Sequence, residues 1–144
     1  MRTTTKIAAV LATAATTTVL IAGTAAAEAA AAPPWWSDPA TCVNPQTERQ
    51  RTVNNRLVEV RSGYCGGVQH GWGRIQNFTG QEFIRFEVDL NGDRRWDDFS
   101  TYTAGNRNYT QAYPTSPSPD RAFRACYVAD PNGTCTADNS TDWW

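Results

Sequence analysis

Residues 83–90, FIRFEVDL, alternate apolar and charged side chains with a period of two. The apolar members after Phe83 are Ile84, Phe86, Val88 and Leu90, and the charged members between them are Arg85, Glu87 and Asp89. A β-strand sends successive side chains to opposite faces, so the pattern predicts a strand with one face in a core and the other in solvent. No stretch of the sequence shows the helical period of a long amphipathic helix. The alternation therefore favours a β-sheet protein.

Three other segments have strand character. RLVEVRS, residues 56–62, places Val58 and Val60 on one face. GWGRIQNF, residues 71–78, is predicted to form a second strand, and RAFRACYVA, residues 121–129, the last one. We expect a glycine-rich loop to lead into GWGRIQNF, formed around Gly63, Gly66, Gly67 and Gly71.

Asn91 and Gly92 are typical of a two-residue type I′ hairpin, because both central positions of that turn need positive φ. The facing pairs would then be Leu90 with Asp93, Asp89 with Arg94, and Arg85 with Asp98. Two of these pairs join opposite charges, as cross-strand pairing favours. The returning strand is predicted over about residues 95–103, with a bulge near Asp97 and Asp98 because its aromatic residues change parity.

A proline-rich stretch separates this hairpin from the last strand. PTSPSP, residues 114–119, has three prolines, which cannot donate the hydrogen bonds of a regular ladder, so a loop is predicted there. Five or six short strands with turns between them predict an all-β fold, either a small antiparallel β-barrel or a sandwich.

The N-terminus has the pattern of an export signal. Arg2 and Lys6 precede an apolar stretch at residues 7–22, and Ala25 and Ala27 supply the small residues that a signal peptidase requires. The apolar stretch is too short to span a bilayer as a stable helix. We therefore predict a signal peptide over residues 1–27 and a secreted, extracellular product, with an uncleaved N-terminal anchor as the alternative.

Four cysteines follow the predicted signal peptide: Cys42, Cys65, Cys126 and Cys135. An even number in an exported chain, without the paired spacing of a zinc site, predicts two disulfides. Of the three possible connectivities the sequential one is favoured, because the turn signal DPNG lies between Cys126 and Cys135. We expect residues 28–41 to form a flexible segment and residues 42–144 a single disulfide-bonded β domain.

The charge of the exported chain argues against nucleic acid as a partner. Removal of residues 1–27 leaves 11 arginines against 14 acidic residues, a formal charge of −3. The arginines are spread along the sequence between acidic residues, whereas nucleic-acid binding needs a concentrated basic face. No second apolar segment follows the signal, so we also expect no membrane span.

Residues 57–77, LVEVRSGYCGGVQHGWGRIQN, resemble small secreted proteins of Gram-positive bacteria, including actinobacterial relatives, typified by YjfA. In these proteins a VELRYS-like strand, a cysteine and a WARI-like strand follow in order. Here residues 58–62 match the first part, Cys65 the middle and residues 72–75 the last. The tyrosine expected after Arg61 is absent, and the loop between Cys65 and Trp72 differs. The resemblance implies secretion and a β-rich fold, and it implies no chemistry, because that family has no established molecular activity.

The segment that follows Val88 contains a partial calcium-loop pattern. Positions one, three, five and nine of such a loop are occupied by Asp89, Asn91, Asp93 and Asp97. Position six, usually glycine, is Arg94, and position twelve, usually a bidentate glutamate, is Ser100. We therefore expect a turn here rather than a metal site, and we predict no cofactor for the protein.

His70 is the only histidine of the chain. A general base needs a partner carboxylate or nucleophile, and neither an HExxH nor a GxSxG motif surrounds this residue. We expect an exposed loop histidine. The alternative is a small secreted hydrolase in which His70 works with a carboxylate such as Glu82 or Asp98.

Aromatic residues supply the candidate binding surface. Tyr64, His70 and Trp72 belong to the region of the glycine-rich loop, and Trp96 belongs to the hairpin that we expect to face it. The tryptophan pairs at the two ends of the exported chain are expected to pack against the domain, because paired exposed tryptophans favour aggregation. These residues are Trp35, Trp36, Trp143 and Trp144.

Taken together, these patterns predict a secreted, monomeric binding protein without catalytic activity. Its expected partner is a macromolecule or cell-envelope component, either a glycan or a protein. Besides the hydrolase, one further alternative is a protease inhibitor that presents the loop at residues 114–120, since a braced loop binds at a lower entropic cost.

Overall fold

A computed structural model describes residues 34–144 of the chain, and the predicted signal peptide lies outside these residues. The described part is all-β, as predicted, with seven strands in two antiparallel sheets. The four-stranded sheet has the order β1-β2-β3-β6, with β1 at Val43–Val53, β2 at Arg56–Cys65, β3 at Val68–Gln76 and β6 at Tyr113–Pro114. The three-stranded sheet has the order β5-β4-β7, with β4 at Phe83–Asp89, β5 at Asp98–Thr103 and β7 at Ala122–Val128.

The two sheets pack face to face on a single apolar core. Its largest cluster combines Val58, Val60 and Ile75 from the first sheet with Ile84, Phe86, Val88, Phe123 and Ala125 from the second. Burial of each of the larger side chains contributes about 1.5–3 kcal/mol to folding. Gly73 brings the sheets close together, since a Cβ at this position would lie 3.2 Å from the Phe86 Cβ.

The disulfides have the predicted sequential pairing, Cys42 with Cys65 and Cys126 with Cys135. The first joins strand β2 to the end of a short 3-10 turn at Pro39–Thr41. The described part of the predicted flexible segment makes regular backbone contacts, because the Trp36 amide donates to the Ala112 carbonyl and the Ala112 amide donates in return. The folded unit therefore extends N-terminal to residue 42.

Two tight hairpins connect the first three strands. Asn54 and Asn55 join β1 to β2 with φ of 48° and 64°, and Gly66 and Gly67 join β2 to β3 with φ of 59° and 85°. Positive φ at both central residues is what a type I′ turn requires. The predicted glycine-rich loop is thus shorter than expected, because the two outer glycines lie within β2 and β3.

The predicted two-residue hairpin at Asn91 and Gly92 is wrong. Strands β4 and β5 are joined by an eight-residue loop, residues 90–97, and the first pair is Val88 with Asp98. Arg85 therefore faces Thr101 rather than Asp98, and the register runs without the predicted bulge. The cause is that side chains of Asp89, at the end of β4, and of Asn91 and Asp93, in the loop, accept hydrogen bonds from the loop backbone and stabilise a wider turn.

The last residues of the chain extend the second sheet beyond β7. The amides of Phe123 and Trp144 each donate to the carbonyl of the other at 2.8 Å, and the Thr141 amide donates to the Ala125 carbonyl. At the edge of the other sheet, Pro114 pairs with His70, so the predicted proline loop begins one residue later. An edge strand tolerates proline because one side of it has no ladder partner. Within residues 34–144, no helix is both long and apolar enough to cross a membrane.

Candidate functional site

Three connections meet at one end of the domain. Gly71, near the β2–β3 hairpin, lies against Phe123 at the start of β7, and Phe123 pairs with Val88 near the end of β4. The loop at residues 90–97 contacts the loop at residues 115–121, since the Arg94 Nη2 donates to the Pro119 carbonyl at 3.3 Å. We call this region, formed by the β2–β3 hairpin, the two loops and the adjacent strand ends, the loop end.

Exposed apolar side chains concentrate at the loop end. Among residues 34–144, eight large apolar side chains are exposed, and seven of these belong to this region or contact it. They are Trp36, Val43, Tyr64, Val68, Leu90, Trp96 and Phe99. The eighth, Phe78, follows β3 at the opposite end. Trp36 belongs to the group because its ring would lie 3.1 Å from a Cβ at Gly66.

The structure brings the predicted residues Tyr64, His70 and Trp72 to this hairpin, but only Tyr64 is exposed. The expectation of an exposed loop histidine is wrong. His70 lies within β3 with 5% of its surface exposed, packs 5.9 Å from the Trp36 ring and places its Nδ1 2.8 Å from the Val68 carbonyl oxygen. The reason is the tight turn, which starts β3 at Val68 and so carries His70 into the sheet.

The two carboxylates considered as partners of His70 make other contacts. Glu82, at the opposite end of the domain, accepts hydrogen bonds from Arg56 Nε and the Thr79 amide, both at 2.7 Å. Burial raises the pKa of Glu82, but these donors outweigh it and hold the pKa well below its usual range. Asp98 accepts from the Trp35 indole at 3.0 Å in the second sheet. The structure does not bring either carboxylate together with His70.

The residues of the partial calcium pattern lie together at the end of β4 and in the loop at residues 90–97, where they accept hydrogen bonds from the loop backbone. Asp89 receives the amides of Asn91, Gly92 and Arg94, and also the Arg94 guanidinium at 2.8 Å. Burial raises the pKa of Asp89, while these donors outweigh it and lower the pKa overall. Asn91 and Asp93 likewise accept the amides two residues further along, and Asp97 accepts that of Leu90. No group of three or more potential metal ligands is found among residues 34–144.

Trp96, predicted from sequence as a binding residue, is 41% exposed and packs edge-to-face on Phe99 with ring centroids 5.3 Å apart. The Arg85 guanidinium supports both rings, at 3.8 Å from the Phe99 centroid and 4.9 Å from that of Trp96. The charged face of β4, expected in solvent, is therefore buried. Its residues Arg85, Glu87 and Asp89 are each at most 2% exposed.

Trp72 lines a separate cleft of about 300 Å³ on the outer face of the four-stranded sheet, beneath the 3-10 turn. Among the other lining residues are Cys42, Arg61, Arg74 and Tyr109. Sequence reasoning missed the two arginines. Their signal was present in the alternation of β2 and β3, which pairs Arg61 with Trp72 and Glu59 with Arg74 once the tight turn sets the register.

The terminal tryptophans are largely packed, as expected from the sequence. Trp35 lies 4.8 Å from the Tyr113 ring, Trp144 lies 5.7 Å from the Phe123 ring, and Trp143 stacks on Arg124. Trp36 is the most exposed of the four, at 37%. These residues therefore belong mainly to the structure of the domain, with Trp36 at the border of the loop end.

No protein-family model, curated protein or solved structure matches the chain. The resemblance of residues 57–77 to the YjfA-type secreted proteins stays a prediction. Functional inference therefore depends on the two surfaces described above, the loop end and the cleft beside Trp72.

Proposed function

We propose that this protein is a secreted, non-catalytic binding protein that recognises a protein partner through its loop end. The observation that carries the proposal is the concentration there of seven of the eight large exposed apolar side chains of residues 34–144. Exposed large apolar side chains gathered at one end of a soluble domain are typical of an interaction site. The N-terminal signal pattern and the two disulfides support an extracellular location.

The loop end is held in place before any partner binds. The Cys42–Cys65 disulfide ties the tip of the β2–β3 hairpin to the end of the 3-10 turn, and the Thr115 amide donates to the Gln69 carbonyl at 2.9 Å. Arg94 joins the other two loops through its bond to the Pro119 carbonyl. A surface ordered in advance loses less conformational entropy on binding, so its contacts contribute more to affinity.

The composition of the loop end favours a protein over a glycan. Trp36, Tyr64 and Trp96 supply the aromatic side chains that contribute most to protein interfaces. Val43 and Val68, exposed by 59% and 53%, add aliphatic surface. Stacking on a sugar ring uses aromatic faces, whereas branched aliphatic side chains pack on other apolar side chains.

A pull-down from the culture medium of the producing organism tests the proposal. The bait is the secreted protein, compared with Tyr64→Ser, Val68→Ser and a matched control, Phe78→Ser, which removes an exposed aromatic residue at the opposite end. A partner protein should bind the wild type and the control equally. We expect each loop-end substitution to weaken binding by about tenfold, the effect of a buried interface residue.

Three results would contradict the proposal. One is a partner that loses affinity with Phe78→Ser but not with the loop-end variants. A second is sedimentation of the protein with isolated cell-wall polysaccharide in a manner that depends on Tyr64, which would make the surface a glycan site. A third is a dimer detected by analytical ultracentrifugation and lost in Val68→Ser, which would make a second copy of the chain the occupant.

A second candidate function is inhibition of a protease by the proline loop. Residues 117–120 are exposed, and the loop is tied at both sides, to Gln69 through Thr115 and to Arg94 through Pro119. Such bracing lowers the entropic cost of binding an extended loop to a protease. Inhibition assays against serine and cysteine proteases test it, with Ser118→Ala and Asp120→Ala as loop variants. Unchanged protease activity at a large excess of the protein would exclude this candidate for the enzymes assayed.

A further inference from the structure

The cleft beside Trp72 has a polar floor and apolar walls. It has a volume of about 300 Å³, near the lower limit for small-molecule sites. Arg61 and Arg74 project into it from neighbouring strands, while Trp72, Tyr109 and Pro45 form its sides. None of these residues is among the exposed apolar side chains of the loop end.

One of the two arginines is fully engaged by the protein. Arg74 Nε and Nη2 donate to the two carboxylate oxygens of Glu59 at 2.6 and 3.0 Å. Glu59 also accepts from the Gln76 amide group at 2.8 Å and from the Thr47 hydroxyl at 2.9 Å. Burial raises the pKa of Glu59, but these donors outweigh it and lower the pKa overall. The carboxylate is therefore already saturated with hydrogen bonds.

Arg61, the other arginine, has no carboxylate of its own at this site. Its Nη1 lies 3.8 Å from Glu59, compared with 2.6 Å for Arg74, and it donates to the Thr47 hydroxyl. Burial, together with the positive charge of Arg74, lowers the pKa of Arg61. A partly buried guanidinium with incomplete pairing is stabilised by any anion that reaches it.

The residues at the border of the cleft do not cancel the positive charge of Arg61. Arg107 stacks on the Tyr109 ring at 4.5 Å, and the Tyr109 hydroxyl donates to Asp38 at 3.3 Å. Two guanidinium groups, those of Arg61 and Arg74, line the cleft, whereas no carboxylate is among its lining residues. The site favours an anionic ligand.

We propose that this cleft binds an acidic sugar, with Arg61 binding its carboxylate and Tyr109 and Pro45 flanking its ring. The volume admits a single ring, and guanidinium forks match carboxylate geometry. Aromatic side chains present apolar faces to the C–H face of a sugar ring. The ligand is either a free uronic acid or a uronic acid unit of an extracellular polymer. This site is independent of the loop end.

Titration of the ¹⁵N-labelled protein with glucuronic acid, followed by NMR, tests the proposal. Glucose is the neutral match, and acetate is the anion without a ring. We expect the Trp72 indole signal to shift with glucuronic acid, and affinity to fall as salt is added. Arg61→Gln should weaken binding by about tenfold. The matched control is Arg49→Gln, which removes the same charge from an exposed position of β1 and should leave binding unchanged.

A second variant tests the cleft even if Arg61→Gln does not fold. Ala40→Trp keeps both arginines and places a large ring over the cleft from an exposed position, so it should also abolish binding. Thermal unfolding of each variant shows whether it is folded. Tyr64→Ser should bind glucuronic acid normally, so failure of the protein-partner proposal and failure of this one are distinguishable.

Several outcomes would overturn the assignment. Equal binding of glucose and glucuronic acid would show that Arg61 does not bind the ligand carboxylate. Equal binding of acetate and glucuronic acid would show that the sugar ring does not contribute to affinity. Unchanged affinity in folded Ala40→Trp would place the ligand elsewhere. Tighter binding of an oligogalacturonate than of galacturonic acid would identify a polymer unit as the ligand, and equal affinity would identify the free sugar; both results would support the acidic-sugar assignment.

Discussion

Arg85 and Glu87 lie two residues apart on strand β4, and the Arg85 Nε donates to the Glu87 Oε1 at 2.8 Å although neither side chain is more than 2% exposed. The same carboxylate accepts from the Arg124 Nε at 2.8 Å and from the Cys135 amide at 3.1 Å. The buried Glu87 carboxylate thus links strands β4 and β7 to the second disulfide loop. It also holds Arg85, whose guanidinium supports the Trp96 ring.

Glu87→Ala should lower the free energy of unfolding by about 3–5 kcal/mol, because it leaves the buried Arg85 and the partly buried Arg124 without their anion. Urea unfolding of the purified protein measures this. The control is Asp138→Ala, which removes the same charge from an exposed position and should cost less than about 0.5 kcal/mol. A loss below 1 kcal/mol in Glu87→Ala would contradict the role assigned to this carboxylate.

Stability should fall in acid partly through Glu82. Since the folded-state pKa of Glu82 lies below its unfolded value of about 4.3, the charged form contributes stability above that value. This contribution should be lost as the pH drops from about 5 towards the lower folded-state pKa. Unfolding free energies measured from pH 7 to pH 3 should decline less steeply in Glu82→Gln than in the wild type. Parallel curves would show that the pKa of Glu82 is not lowered by folding.

Gly67→Ala and Gly92→Ala separate conformational strain from steric contact. The two glycines have nearly the same φ, 85° and 84°, but a Cβ at Gly67 meets nothing within 4 Å, whereas one at Gly92 would lie 2.9 Å from Asp120. Gly67→Ala should cost about 1 kcal/mol, the usual penalty of positive φ. Gly92→Ala should cost more, because Asp120 must also move. Equal costs by thermal unfolding would mean that the two loops are not in contact.

Calcium should leave the melting temperature unchanged. The Asp89 carboxylate is occupied by three amides and by Arg94, which places a positive charge where a cation would bind. Asp89→Ala should therefore lower the melting temperature equally in calcium and in EDTA. A calcium-dependent rise in the wild type that disappears in Asp89→Ala would show instead that a metal organises this loop.

Deletion of Trp143 and Trp144 should destabilise the domain by about 2–3 kcal/mol through lost apolar burial and lost pairing with β7. Binding to a loop-end partner should be largely retained by the fraction that remains folded. Differential scanning calorimetry gives the first quantity and a titration the second. Unchanged stability with lost binding would assign these tryptophans to the functional surface.

Residue patterns predicted the strands that bury one apolar face. Strands β2, β4 and β7 and the sequential disulfides are confirmed, although the charged face of β4 is buried rather than exposed. Strand β1 was missed because it is a polar edge strand whose side chains are nearly all exposed, so no apolar period marks it. The turn prediction from single residues was wrong. Asn91 and Gly92 have the local preference for a two-residue hairpin, but neighbouring aspartates stabilise a wider loop.

The candidate surfaces depended more strongly on tertiary structure. The sequence predicts Tyr64 and Trp96 as binding residues because aromatic residues near turns are typical of binding sites. It also predicts that the two segments that carry them face each other. The role of Arg61 could not be predicted, because its incomplete pairing results from the competition of Arg74 for Glu59 across two strands. The burial of His70 likewise follows from the position of a turn and not from its sequence neighbours.

Both disulfides close short, consecutive stretches of chain, because each ties a strand to a neighbouring segment: β2 to the 3-10 turn, and β7 to the loop that follows it. In the export that we propose, the N-terminal part of the chain would emerge first, and Cys42 would meet its partner Cys65 well before Cys126 leaves the membrane. No cysteine has to wait for a distant partner while an unrelated one is already available. Oxidation in the order of synthesis would therefore lead directly to the native pairing, and an exported chain would have little need of a disulfide isomerase.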